Sequence, residues 1–217
     1  MPEGHTITEL RRMGSGKGLE VFVDGEKAWR MHHKLAERLG LAVGLRLSPD
    51  ELVEVGRGVA TYETRAAALR LLGQRARSQA ALRQRLLSKG CPEWAADETL
   101  AWLTEREYLN DERYAQERVA GLQRRRLGSR VIADRLHREG VPDELAKAVM
   151  AERADELHET ELARELAEQL DERWRALEWL RRRNRIYQHL ARRGFGSEVI
   201  STALARLEPL GSSTEVM

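Results

Sequence analysis

The sequence has very little cysteine and no long apolar run. Cys91 is the single cysteine among 217 residues, so the chain cannot close an internal disulfide. No cysteine or histidine follows another at the spacing of a zinc site, which predicts a protein without a metal or cofactor. Every apolar run falls short of the roughly 20 residues that a membrane helix needs. Together with an N-terminus that lacks an apolar signal core, this predicts a cytoplasmic protein without a membrane partner.

Aromatic residues are also scarce, at 5% of the chain, whereas charged residues make up 33%. Frequent Ala, Leu, Arg and Glu with few β-branched runs favour long amphipathic helices. The formal net charge is only +2, so the whole molecule is not a polycation. Any affinity for nucleic acid must therefore come from local basic patches.

Residues 1–60 have the pattern of a small module that contains strands. Residues 7–12 form a weak candidate strand, and residues 19–23 alternate between apolar and polar side chains. Asp24-Gly25 then predicts the tight turn of a β-hairpin whose second strand covers residues 27–31. A short helix, a further strand and a capping box follow at residues 32–38, 44–47 and 48–51.

Three glycines mark an internal repeat in the rest of the chain. Gly90, Gly140 and Gly194 are spaced by 50 and 54 residues. Apolar residues stand eight and four positions before each glycine, on one face of a helix, and another follows it directly. This pattern predicts a helix, a turn with glycine in the left-handed conformation, and a second helix. Pro92, Pro142 and, in the third copy, Ser197 are expected to open that second helix.

A further helix is predicted before each of these pairs, at residues 66–75, 111–125 and 152–179. The predicted fold is therefore mainly α, with three tandem three-helix repeats after the N-terminal module. One such repeat cannot bury its apolar face alone, so we expect the repeats to stack into an elongated, curved array. The predicted bounds are 61–106, 107–150 and 151–208, followed by a flexible tail at 209–217.

The repeats and the segment that joins the first two resemble the RecX family. Residues 108–115, Tyr-Leu-Asn-Asp-Glu-Arg-Tyr-Ala, resemble its most distinctive segment, which joins the first and second repeats. Residues 68–90 are similar to its first repeat, and the spacing of Gly128, Ile132, Leu136 and Gly140 to its second. The N-terminal module is similar to that of the longer family members. The resemblance covers nearly all of residues 7–207.

The resemblance implies a non-enzymatic modulator of the RecA recombinase. Family members bind the RecA–DNA filament along its groove and inhibit its ATPase, strand-exchange and co-protease activities. The implied partners are the RecA filament and DNA, single- or double-stranded, and a monomer is expected. Two alternatives stay open: a helical repeat protein that acts by competing for DNA, and a scaffold of stacked helices unrelated to recombination.

The candidate contacts to RecA or DNA are arginines, because charge is distributed unevenly. Residues 152–172 contain nine acidic and two basic residues, whereas residues 173–193 contain one acidic and eight basic residues. A guanidinium group can make two-pronged bonds to phosphate or carboxylate. The same runs also fit a solvated helix face with weak exposed pairs. The candidates are Arg75, Arg77, Arg124, Arg125, Arg126, Arg130, Arg181, Arg182, Arg183, Arg185, Arg192 and Arg193.

The aromatic residues are expected to stabilise the fold and not to bind a partner. Four tryptophans stand at helical spacings and are predicted to lie in the core. Tyr108 and Tyr114 are expected to pin the first two repeats together, and Asn110 or Asp111 to cap the following helix. The tryptophans are Trp94, Trp102, Trp174 and Trp179.

Overall fold

The computed structural model describes residues 4–14, 16–152 and 159–207. The chain forms two compact units, the first made of Met1–Arg77 with Ala81–Leu109 and the second of Ser78–Ala80 with Asn110–Met217. Among the described residues, one apolar core lies in the N-terminal module and one in each of three helical repeats. The predicted tail at 209–217 lies outside the described residues.

The N-terminal module contains a four-stranded antiparallel sheet in the order β3-β2-β1-β4. The predicted hairpin is confirmed, and Asp24 and Gly25 in its turn have φ angles of 51° and 88°. The predicted short helix is also confirmed. The elements are β1 (His5–Arg12), β2 (Gly18–Val23), β3 (Glu26–His32), α1 (His33–Arg38) and β4 (Arg46–Leu47).

Helix α2 (Pro49–Gln74) starts at the predicted capping box and continues for 26 residues. The Ser48 side chain accepts from the Glu51 backbone, and the Glu51 carboxylate accepts from the Ser48 backbone at 2.7 Å. The prediction that this helix starts near residue 66 was wrong. Gly56 does not interrupt it, because the Trp29 indole packs where a side chain at position 56 would lie. The predicted module boundary at residue 60 thus falls inside a continuous helix.

The first repeat adds α3 (Gln79–Leu87) and α4 (Glu93–Glu105) to the end of α2. Leu82 and Leu86, the residues eight and four before Gly90, are fully buried. Gly90 has a φ of 81°, and the Cys91 amide donates to the Leu86 carbonyl at 3.2 Å. The glycine-ended turn predicted from the repeat pattern is therefore confirmed.

The second unit repeats this design twice. Gly140 and Gly194 have φ angles of 78° and 91°, and Ile132, Leu136, Ile186 and Leu190 are fully buried. Because the apolar positions recur at the predicted spacing, each helix pair encloses its own core. The helices are α5 (Asp111–Gln123), α6 (Ser129–Arg138), α7 (Asp143–Glu152), α8 (Glu159–Arg173), α9 (Trp179–Arg192) and α10 (Ser197–Leu204).

Two details of the third repeat differ from the prediction. The expected helix over residues 152–179 is not continuous, because α8 ends at Arg173 and Trp179 starts α9. Glu178 is the reason for the new start: its carboxylate accepts from the amides of Leu180 and Arg181 at 3.0 and 3.2 Å. Gly196, not Ser197, occupies the capping position of α10.

Candidate binding surface

Helix α9 presents a row of arginines to solvent. Arg181, Arg185 and Arg192 are exposed and separated by four and seven residues, which places them on one helix face. At 1.5 Å per residue the row is roughly 16 Å long. The buried face of α9, with Ile186 and Leu190, points into the core of the third repeat. The row can therefore contact an extended anionic partner without disturbing the core.

Arg182 belongs to the interior of the repeat. Its side chain is 2% exposed, and its Nε lies 2.7 Å from a carboxylate oxygen of Asp171. Its Nη1 donates to the Arg175 carbonyl at 3.1 Å, and its guanidinium carbon lies 5.2 Å from the Trp179 ring centroid. Arg182 thus holds the turn between α8 and α9 against α9, and its guanidinium is not accessible to a partner.

Arg193 joins the third repeat to the second. Its Nη1 donates to the carbonyls of Arg125 and Arg126 at 3.0 and 3.3 Å. In return the Gly128 amide donates to the Arg193 carbonyl at 2.9 Å, and the Arg130 amide to that of Gly194 at 3.1 Å. Two arginine segments that are more than 60 residues apart in the sequence therefore meet at one joint.

Glycines make the joint possible. A Cβ atom at Gly128 would lie 2.4 Å from the backbone of Gly194, and one at Gly194 would lie 2.6 Å from Val131. No side chain larger than hydrogen fits either position without displacing backbone. The turn between α5 and α6 is consequently held against the end of α9.

The exposed arginines around this joint form, with the row on α9, what we call the basic face. Arg126 at the same turn donates to the neutral Gln169 at 2.8 Å and is partly neutralised by Glu165, whose carboxylate lies 3.7 Å away. Arg183 is exposed but lies on a different side of α9 from the row. The basic face is defined as Arg124, Arg125, Arg130, Arg181, Arg185 and Arg192.

The ring of Trp174 contacts one arginine of the basic face and a histidine on the same helix. The guanidinium of Arg185 lies 4.7 Å from the centroid of Trp174, and His189 contacts the same ring edge-on. Burial lowers the pKa of His189, and the charges of Arg193, Arg192 and Arg173 lower it further. A neutral His189 can accept the hydrogen bond that Arg193 Nε donates to its Nε2 at 3.2 Å.

The prediction that four tryptophans lie in the core holds only in part, because Trp102 and Trp174 pack against the cores of their repeats without being buried in them. Trp94 is 39% exposed, and the other three are only partly buried. Each ring carries a guanidinium over its face, for example Arg57 at 4.7 Å from Trp94. Such stacking lets a large ring remain at the surface, because the alkyl stem and planar head of arginine cover it.

Arg75 and Arg77 belong to the first unit, whereas the other candidates belong to the second. Arg75 is exposed directly after α2, whereas Arg77 is partly buried and its Nε donates to the Leu71 carbonyl at 3.4 Å. They do not belong to the basic face as defined above.

The distinctive segment at 108–115 contributes a set of hydrogen bonds, of which the sequence predicted only the cap of α5. Asn110 is the cap of α5, accepting from the Arg113 amide at 2.9 Å, whereas Asp111 accepts from the Gln79 amide at 2.7 Å. Tyr114 donates to Glu139 at 2.9 Å. Tyr108, expected to pin the repeats, is instead 62% exposed and stacks on Trp102.

Glu139 is the centre of this network. It also accepts two-pronged bonds from Arg118, and its carbonyl accepts from the Ser78 hydroxyl. Burial alone would raise the pKa of Glu139, but the bonds from Arg118 and Tyr114 outweigh it and the pKa is lowered. A charged Glu139 therefore fixes α5, the end of α6 and the segment before α3.

Neither a metal cluster nor a membrane helix occurs in the part of the chain that the structure describes. No group of three or more His, Cys, Asp or Glu side chains within the described ranges could hold a metal ion. Of the helices in residues 4–14, 16–152 and 159–207, none is long and apolar enough to cross a membrane.

Comparison with known proteins identifies the three repeats. Family models for the first, second and third three-helix domains of RecX match residues 65–103, 110–150 and 158–204. The regulatory protein RecX of Syntrophotalea carbinolica is 32% identical over 61% of this chain and 88% of its own length. That of Caldanaerobacter subterraneus subsp. tengcongensis is 27% identical over 91% of this chain and 98% of its own.

Solved structures show the same fold. A crystal structure of regulatory protein RecX superposes with a TM-score of 0.67 at 20% identity, covering 91% of this chain and 97% of that one. RecX from Lactobacillus salivarius gives a TM-score of 0.63 at 26% identity, over 67% of this chain and 95% of that one.

Proposed function

The chain belongs to the RecX family of regulatory proteins, and from this premise we propose that it restrains the RecA recombinase by binding the RecA–DNA filament. In this proposal it lies along the filament groove and inhibits ATP hydrolysis, strand exchange and co-protease activity. It acts by binding and not by catalysis. RecA is the protein partner, and DNA inside the filament is the second one.

The observation that carries the proposal is the basic face. It consists of six exposed arginines from two repeats, and the bonds of Arg193 to the carbonyls of Arg125 and Arg126 hold these repeats together. The six are Arg124, Arg125, Arg130, Arg181, Arg185 and Arg192. A net charge of only +2 means that such a concentration of positive charge is local. Arginines on a well-packed backbone favour binding of an anionic partner, because the backbone that carries them loses little conformational entropy on binding.

The test uses charge reversal within the row on α9. We expect Arg181→Glu, Arg185→Glu and Arg192→Glu combined to lower affinity for an assembled RecA filament on single-stranded DNA at least tenfold, because attraction becomes repulsion. The matched control is Arg113→Glu, Arg138→Glu and Arg175→Glu, which changes the same charge at exposed positions in the same unit. Filament co-sedimentation measures the affinity, and circular dichroism checks that both variants stay helical.

The control variant is expected to bind within about twofold of the wild type, since surface charges outside an interface have small effects. Equal affinity of the row variant and the wild type would remove the basic face from the proposal. An equal loss in both variants would point to bulk charge instead of a defined surface.

Competition for DNA is the second candidate, and the arginine row favours it as well. If all six arginines met phosphates of single-stranded DNA, log affinity would fall with log salt at a slope of about −4. Binding to free DNA with that slope, and no stronger binding to the RecA-coated strand, would support competition.

A further inference from the structure

A second cationic site lies in the first unit, in a recess of about 760 Å³. Three elements form its walls: strand β3, the middle of α2, and the turn between α3 and α4. The recess shares no residue with the basic face, because all of its lining belongs to the N-terminal module and the first repeat. Nothing in the proposed filament binding uses it.

Three cationic side chains from these walls converge on the recess. Arg30 comes from β3, Arg70 from α2, and Lys89 from the turn just before Gly90. All three are exposed. Within the described ranges none of the three has a carboxylate oxygen within 4.0 Å. Their charge is therefore available to a ligand.

Glu63 is the one carboxylate in the lining, so the recess has a formal charge of +2 with His32 neutral. Burial raises the pKa of Glu63, and the charges of Arg30 and Arg70 pull it the other way. A bound anion would be repelled by a charged Glu63. Its attraction to the three cations around it would exceed this repulsion.

The start of α4 adds positive potential to the same place. Gly90, Cys91 and Pro92 line the recess, and α4 begins immediately after them at Glu93. Its cap residue Pro92 has no side-chain hydrogen bond to the first turn. A 13-residue helix has a partial positive charge at this end, where anions are stabilised, and the carboxylate of Glu93 in the first turn is itself paired with Arg83.

A neighbouring recess in the same unit shows what distinguishes this one. It measures about 570 Å³ and is lined by Arg38, Arg57 and Arg65, but also by Glu54 and Glu98. There Arg65 donates to Glu98 at 3.0 Å and stacks on Trp102 at 4.9 Å. Arg65 of that recess is thus paired with a carboxylate, whereas Arg30, Arg70 and Lys89 are not. The Arg70 Nε donates only to the neutral Ala66 carbonyl, at 3.2 Å.

We propose that the recess of Arg30, Arg70 and Lys89 binds a phosphate dianion. Two arginine forks and an ammonium on three sides match the tetrahedral, multiply accepting oxygens of a phosphoryl group. Such a group is found at the phosphorylated end of a nucleic-acid strand and on small phosphorylated molecules. The two sources share this chemistry and differ in the group to which the phosphate is attached.

The probes are pyrophosphate and two oligothymidylates of equal length, one with a 5′-phosphate and one with a 5′-hydroxyl. Isothermal titration of the full chain at constant ionic strength is expected to give saturable pyrophosphate binding. Preference for the 5′-phosphorylated strand by fivefold or more would assign the site to strand ends. Equal binding of both strands beside saturable pyrophosphate binding would assign it to small phosphorylated molecules.

The variant Arg30→Gln, Arg70→Gln and Lys89→Gln combined is expected to bind pyrophosphate at least tenfold more weakly. Its control is Arg12→Gln, Lys34→Gln and Arg46→Gln, which removes the same charge from exposed positions outside the recess and should change affinity by less than twofold. Glu63→Gln should bind severalfold more tightly, and this gain does not depend on the triple variant being folded.

Absence of saturable binding by the wild type would overturn the proposal, and so would equal affinity in the recess variant and its control. The outcome is independent of filament binding, because the recess variant keeps all six arginines of the basic face.

Discussion

Arg182 and Arg183 are neighbours in the sequence with opposite surroundings. Arg182 is 1% exposed and paired with Asp171, whereas Arg183 is exposed on α9. The spacing within α9 identifies the inward one, because Arg182 stands four residues before Ile186 and eight before Leu190, on the buried face of the helix. The basic character of the run hides this position, since an arginine at an apolar site of the repeat is read as a surface residue until its partner Asp171 is seen.

This contrast leads to a stability prediction. Arg182→Ala should lower the free energy of unfolding by about 3 kcal/mol, because it leaves Asp171 without its partner. Arg183→Ala should change it by less than about 0.5 kcal/mol, as an exposed substitution. Urea denaturation followed by circular dichroism measures both. Similar losses in the two variants would contradict the assignment of Arg182 to the interior.

Side chains at the surface were also the least predictable. The tryptophans recur at helical spacings, which is typical of a core, yet each is partly exposed beneath a guanidinium. The spacing of hydrophobic residues does not distinguish an aromatic ring buried in the core from one that lies at the surface under an arginine side chain. Burial of the aliphatic residues before each glycine was predictable, because their side chains have no polar group that could favour exposure to water.

At the scale of the element, local signals gave correct helix ends. The capping box at Ser48 and the left-handed glycines at 90, 140 and 194 each depend on neighbouring residues only. The length of α2 was not predictable in the same way. Glycine weakens a helix, and only the structure shows that Trp29 packs against α2 at Gly56. Tertiary contacts from another element therefore decide where the sequence is ambiguous.

The joint between the second and third repeats can be tested with a matched pair of glycines. Gly90 and Gly194 both have a positive φ, but a Cβ atom meets nothing within 4 Å at Gly90 and meets Val131 at 2.6 Å at Gly194. Gly90→Ala should therefore cost only the backbone strain, about 1–2 kcal/mol.

Gly194→Ala should cost that strain and also separate the two repeats, for a total above about 3 kcal/mol. Thermal denaturation compares the variants, and the difference between them isolates the joint. Equal destabilisation would mean that the close backbone contact does not stabilise the second unit.

At the scale of the molecule, family and function rest on different observations. The order of the three glycine-ended repeats and the segment at 108–115 suffices to place the chain among the RecX proteins. The basic face was only half predictable. Both arginine runs are visible in the sequence, but their meeting depends on the bonds between Arg193 and the turn after α5.

The central claim, that this chain restrains RecA by engaging its filament, is tested most directly by titrating it into RecA that hydrolyses ATP on single-stranded DNA. We expect half-inhibition well below one molecule per RecA protomer, because one bound molecule would affect several subunits. The variant with Arg181, Arg185 and Arg192 reversed should need at least tenfold more protein. Inhibition that appears only once the protein covers the DNA, at the same concentration for both, would contradict the claim.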